Sequence, residues 1–352
     1  MRRHRHRCGR LSDRTAVGVS EPARIVTRLT ERFGLRTPVV SAPMALVAGG
    51  RLAAAVSNAG GLGLIGGGYA GHLGGEPDLE EEWRLAGNTA VGIGFIVWAM
   101  KREGGLDALR RALEHRPRCV FLSFPERAED LAEPITLARD MGVPTVVQVQ
   151  TLELARAALD AGAGAIVAQG TEAGGHGGAR ATMPFVPEVV DLCATHAPDC
   201  LVLAAGGIAD GRGLAAALML GADGVVVGSR FWATQEALTP LAHVERARDA
   251  TGDETVRTRD LDRARGLDWP EPFSFRVLEN AFTRQVIGNS VEFGAEAARY
   301  DRAKASGNIA VVPAVAGEAI GLIVDRPSAA EVVERMTQQA VMALRGGLSR
   351  IR

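Results

Sequence analysis

The sequence predicts an α/β protein: a (β/α)8 TIM barrel with an added helical segment near the C-terminus. Three observations predict it. Short β-branched apolar runs recur every 20 to 30 residues. The runs are continuous rather than alternating, as in parallel strands buried on both faces. Helical patterns closed by glycine lie between most of them. A doubly wound open sheet is the competing architecture, but eight even repeats in roughly 200 residues favour closure.

The runs read PVVSAPM (38–44), LGLIGGG (62–68), TAVGIGFI (89–96), CVFLSF (119–124), PTVVQVQ (144–150), AIVAQG (165–170), LVLAAGGI (201–208) and GVVVGSRF (224–231). Among the intervening helices, RLAAAVSNAG and GRGLAAALMLGAD are rich in alanine and leucine. TLELARAALDAGA opens on Thr151, has Glu153 in its first turn and stops at Gly162. The repeat fails from about 232 to 325, and a last helix over about 328–345 closes the chain. The domain reading is therefore a barrel over 25–235 and 325–350, with 236–324 inserted over its mouth. Residues 1–24 are basic, lack the apolar stretch of about 7–15 residues a secretory signal needs, and read as a disordered tail. His4, His6 and Cys8 in that tail are weak metal-ligand candidates.

Composition bounds the function. The 352 residues are 47% hydrophobic and 23% charged with net charge −1, so no bulk field recruits nucleic acid or an anionic membrane. The four cysteines (Cys8, Cys119, Cys193, Cys200) share no metal spacing and form no disulfide framework, which fits a cytoplasmic protein with no metal. No apolar run reaches the length of a membrane span. The sequence leaves a homodimer open.

Every glycine-rich stretch falls at or after the C-terminal end of a run, the end that carries active sites in this fold. GLGLIG (61–66) has the letters of a dinucleotide fingerprint, but a helical pattern precedes it. Close packing of strand on helix accounts better for Gly61 and Gly63. A phosphate site is read instead after the seventh and eighth runs, at Gly206, Gly207, Gly228 and Ser229. There backbone N–H groups can approach an anion and a helix N-terminus adds its dipole. The alternative at Gly206 and Gly207 is a tight turn. After the sixth run, VAQGTEAGGHGGAR (167–180) sets His176 among glycines with Glu172 four residues upstream. As a loop residue, His176 reads equally as an imidazole bonded to backbone or as an active-site base. Glu172 reads as a helix cap, a loop brace or a support for the site. Trp98 is expected in a wall or the core, His72 in solvent, and Asp223 as a turn cap.

SAPMA after the first run, QGTEAGGHGG after the sixth, AAGGIADGRG after the seventh and VGSRF after the eighth resemble the nitronate monooxygenase (2-nitropropane dioxygenase) family. The FMN-dependent enoyl-acyl-carrier-protein reductases share these motifs. The likeness covers about residues 33 to 235, and AVAGEAIGLI (314–323) more loosely. It implies noncovalent FMN, with Ala42, Pro43 and Met44 against the flavin ring, Gln169 and Gly174 touching the cofactor, and the seventh and eighth loops holding its phosphate. It also implies His176 as the active-site histidine. Many bacterial relatives carry an asparagine on the third strand, where this chain has Gly94.

The activity so implied is oxidation of small nitronates or nitroalkanes by O2 to a carbonyl compound and nitrite. Two rivals remain. One is NAD(P)H-dependent reduction of enoyl thioesters or quinones on the same flavin. The other is a non-redox barrel for a phosphorylated metabolite, or a flavin-binding protein without turnover. Chemistry on a nucleophilic cysteine after the sixth strand has no cysteine to use, since Cys193 falls in the next helix.

Overall fold

The computed structural model describes residues 24–72, 76–102, 104–289 and 293–351. The tail with His4, His6 and Cys8 lies outside the described residues. Eight parallel strands form the barrel wall: β1 Val39–Ser41, β2 Leu64–Gly68, β3 Gly92–Ile96, β4 Val120–Ser123, β5 Thr145–Val149, β6 Ala165–Gln169, β8 Leu201–Ala205 and β9 Gly224–Val227. Each lies within the run that predicts it, and every residue in them is buried.

The strands run β1-β9-β8-β6-β5-β4-β3-β2 around the wall, and a parallel bridge from Val40 to Leu62 joins the two ends. Ser41 N–H donates to Leu62 O, and Leu62 N–H to Val39 O, both at 3.0 Å. Period-two alternation sorts the side chains into two layers. Val40, Leu64, Phe121, Val146, Val167, Leu203 and Val226 fill the barrel together with Leu29, Phe33 and Leu35 of the N-terminal helix region. Val39, Ile65, Ile93, Leu122, Val147, Ile166, Val202 and Val225 pack outward against the helices. Arg28 ties the N-terminal helix to the wall: it forks onto Asp223 at 2.7 and 2.8 Å, and Asp223 also accepts from Val202 N–H. Asp223, expected as a turn cap, thus braces the N-terminal helix and the neighbouring strand instead. A Cβ on Gly63 would run into the Ala53 carbonyl, so close packing does account for this glycine. The closing helix spans Ala329–Leu348. Among the described residues no helix is long and apolar enough to cross a membrane.

The segment expected to be helical is mixed. Between the helices Leu241–Arg248, Asp260–Ala264, Ala281–Val286 and Phe293–Ala305 it contributes two strands, β10 Thr255–Thr258 and β11 Ser274–Leu278. These pair antiparallel with each other, and β11 pairs with β7, Gly175–Gly177, inside the glycine-rich loop. The physical reason is alternation over a short span: Phe275 and Val277 join a buried cluster, while Arg276 between them turns back to Thr171, Thr255 and Glu318. The loop after β6 thus supplies an edge strand of a second, three-stranded sheet.

Candidate active site

His176 is held as a strand residue. It lies opposite Phe275 in the β7–β11 register, with Gly175 opposite Arg276 and Gly177 opposite Ser274. Its imidazole is sandwiched between Trp269, with ring centroids 3.3 Å apart and planes at 7°, and Phe275, at 4.4 Å and 13°. Phe124 meets it edge-on. His176 Nε2 lies 3.0 Å from Asp262 Oδ2, and both side chains are buried. A carboxylate oxygen accepts, so Nε2 carries the hydrogen and Nδ1 keeps the lone pair. Burial among aromatic rings pushes the imidazole below its ordinary value, Asp262 pulls it part of the way back, and Arg265 and Arg257 push it down again. The net effect favours the neutral ring.

Ordering a loop this rich in glycine costs backbone entropy, which local hydrogen bonds offset. Arg257 donates to the carbonyls of Ser274, Thr171 and Ala173 at 2.6, 3.0 and 2.8 Å. Arg276 donates to Thr171 O at 3.0 Å and pairs with Glu318 at 2.8 Å. Glu172 accepts from the backbone N–H of Thr182, at 3.0 Å, and from its hydroxyl, at 2.7 Å, where the helix Thr182–His196 begins. Glu172 is therefore both cap and brace.

The other residues singled out from the sequence fall around the same mouth. Ala42, Pro43 and Met44 leave β1, and Ala42 N–H donates to Val227 O at 2.9 Å. A Cβ on Gly228 would lie 3.8 Å from both Ala42 Cβ and Met44 Sδ, so these three converge. Pro43 points the other way, against Gly94. Gln169 ends β6; its Nε2 donates to His176 O at 3.1 Å and its Oε1 accepts from Gln150 Nε2 at 2.8 Å. Both amide atoms are spent on the protein, and Gln150 Oε1 is left buried with no partner among the described residues. Gly174 packs on Ala316–Gly317, and Gly317 N–H donates to Ser229 Oγ at 2.9 Å. The stretch 314–323 thus crosses the site. Gly206 and Gly207 follow β8 at φ +104° and +71°, and among the described residues neither gives its amide N–H to another backbone group. The expected helix dipole is not free there: Asp210 caps the helix Gly211–Met219 by accepting from Arg212 and Gly213 N–H. Any anion at this turn would rely on the two open glycine amides.

Trp98 is a wall residue, as expected, edge-on to Tyr69 and Trp269. His72 differs from its expectation: it is half-buried and its Nε2 is shielded, with no partner among the described residues. Sequence reasoning missed Asp262, Trp269, Phe275 and Gln150. Only the alternation in SFRVL (274–278) signalled any of them. A Cβ at Gly94 would run into the Pro43 ring and lie 3.2 Å from Phe121 Cβ. Gly94→Asn is therefore expected to lower stability by about 1–3 kcal/mol through overpacking, measured as a reduced unfolding midpoint with the barrel intact by circular dichroism.

The family model for nitronate monooxygenase matches residues 26–82 and 95–339. The chain belongs to the nitronate monooxygenase family. It is thus a member of an oxidoreductase family. It is 37% identical over 334 residues to nitronate monooxygenase npaC of Metarhizium robertsii, covering 86% of this chain and 90% of that protein. Among solved structures it resembles FabK of Thermotoga maritima, with TM-score 0.78, 28% identity, and 93% and 100% of the two chains covered. It also resembles the nitroalkane oxidase of Streptomyces ansochromogenes, with TM-score 0.71, 27% identity, and 89% and 98% covered.

Proposed function

We propose that this family member oxidises alkyl nitronates, and nitroalkanes once deprotonated, with O2 to a carbonyl compound and nitrite, using FMN held across the barrel mouth. The observation that carries the reading is a buried His176 with Nε2 on Asp262 and its ring walled by aromatic rings, Nδ1 having no partner among the described residues. The residues present fit the cofactor. The open amides of Gly206 and Gly207 suit its phosphate, with Gly228 and Ser229 following the neighbouring strand β9. Ala42 and Met44 offer a small apolar rim for its ring, backed by Pro43 where it packs on Gly94, and Gln150 Oε1 is a buried acceptor for an imide N–H. Gln169 and Gly174 support this rim by holding the loop. When bound, FMN supplies the one-electron redox chemistry that side chains lack. The chain itself binds and orients the substrate, excludes water with Trp269, Phe275 and Phe124, and takes the α-proton of a neutral nitroalkane at His176 Nδ1.

The purified protein is expected to be yellow and to release FMN on denaturation, because the mouth offers one phosphate cradle. Release of FAD would overturn the cofactor assignment. Oxygen uptake with nitroalkane nitronates tests the reaction. The likeness to FabK favours a second reading, NAD(P)H-dependent reduction of an enoyl thioester or quinone on the same flavin. Rapid flavin bleaching by NADH without oxygen, together with no oxygen uptake on nitronates, would move that reading to first place.

A further inference from the structure

Asp262 has no counterpart among the residues the sequence singled out. It comes from the short helix Asp260–Ala264 in the inserted segment, 86 positions beyond His176. It is itself fixed on every side. Arg265 Nη1 lies 3.3 Å from Asp262 Oδ1, and the Arg265 guanidinium is stacked over Phe275 and Tyr300 at 4.9 and 5.3 Å. The Asp262 carbonyl accepts from Leu267 N–H at 2.9 Å and Arg265 N–H at 3.0 Å. Each carboxylate oxygen therefore has its own partner, Oδ1 the arginine and Oδ2 the imidazole. A buried carboxylate is tolerated only when paired and hydrogen-bonded in this way.

We propose that Asp262 is the positioning residue of His176, fixing the imidazole with the hydrogen on Nε2 and the lone pair on Nδ1. The proposal rests on reading His176 as the base. The consequence of an exchange follows from the donors around it. In Asp262→Asn the Arg265 guanidinium, a pure donor, keeps the amide oxygen, so the amide NH2 faces His176 Nε2. Nε2 must then accept, and the hydrogen moves to Nδ1. The side chain keeps its place and loses its function as a base. A bond that merely stitched the inserted segment to the barrel would make no such distinction between the two ring nitrogens.

Burial lowers the imidazole's titration most; among charged groups Asp262 raises it and Arg265 and Arg257 lower it, and the flanking rings of Trp269 and Phe275 carry no charge. Removing the carboxylate therefore moves the acid limb of the rate profile to lower pH.

The test has two arms on the full-length enzyme. Nitrogen NMR of ring-labelled histidine, assigned with His176→Asn, is expected to show wild-type His176 at neutral pH as the Nε2–H tautomer and Asp262→Asn as the Nδ1–H tautomer. A wild-type Nδ1–H form or an imidazolium would overturn the proposal without any variant needing to fold. In the kinetic arm, kcat/KM of Asp262→Asn should fall by about 10²–10⁴-fold on a neutral nitroalkane, the usual worth of a general base; the same exchange in a Ser-His-Asp triad costs about 10⁴ in kcat. The preformed nitronate should suffer much less, and the residual limb should lie at lower pH. Equal losses on both forms, with the tautomer unchanged, would make Asp262 a structural strut. If the tautomer switches but His176→Asn itself loses both forms equally, the base reading fails while the positioning role stands.

Discussion

Exchanging His176 for asparagine is expected to slow oxidation of a neutral nitroalkane by about 10²–10⁴-fold, the usual worth of a general base, and to slow oxidation of its preformed nitronate far less. The nitronate has already lost its α-proton, so it does not call on Nδ1. Two features of the structure sharpen this. Burial between Trp269 and Phe275 lowers the imidazole's affinity for a proton more than Asp262 restores it. The base form therefore persists below the ordinary imidazole value, and the acid limb of kcat/KM for the neutral substrate should lie on the acid side of about 6.5. That limb should vanish in the variant. Flavin content should stay near that of the wild type, since the glycine turns after β8 and β9 belong to other strands. The measurement is kcat/KM against pH for both forms of one nitroalkane, with flavin absorbance as the control. Equal losses on both forms would leave His176 as a binding residue.

The sequence and the structure agree where the signal is local. A parallel strand buried on both faces is a run of apolar residues, and each run contains its strand. The loops that matter follow from the same fact, because glycines clustered past a strand's C-terminal end mark close backbone approach. What was not legible depends on pairing across the chain. His176 becomes a strand residue only because Phe275 arrives beside it, and its partner Asp262 lies on a five-residue helix with no periodicity of its own. Gln150 looked like the end of an ordinary strand; only the bond it makes to Gln169 shows that its oxygen is left over. His72 was expected in solvent from its position in a loop, and tertiary packing shields its Nε2 instead. The helix after β8 carries a local detail of the same kind, since Asp210 takes its first amides.

With those amides spent, the weight of phosphate binding after β8 falls on Gly206 and Gly207, and Gly207→Asp is expected to empty the cofactor site while leaving the barrel folded. Gly207 has φ +71°, a region aspartate tolerates better than most residues. A Cβ there lies 3.4 Å from Glu172 Cβ, ordinary packing rather than a clash. Folding should therefore survive. The carboxylate, however, sits where a phosphate would approach, and beside the carboxylate of Glu172. Two unit charges at about 4 Å repel by about 1 kcal/mol in water and about 4 kcal/mol at the effective dielectric of a protein surface. That is roughly a 5- to 1000-fold loss of flavin affinity, larger again for a doubly charged phosphate. Gly207→Ala separates the causes, since it adds the same Cβ and the same backbone strain without the charge. The measurements are flavin stoichiometry of the purified proteins and Kd by titrating FMN into flavin-stripped protein, with riboflavin as the ligand that lacks the phosphate. The aspartate variant should lose FMN strongly, lose little of whatever riboflavin binding the wild type has, and differ clearly from the alanine variant. Equal FMN binding in all three proteins would place the phosphate away from this turn.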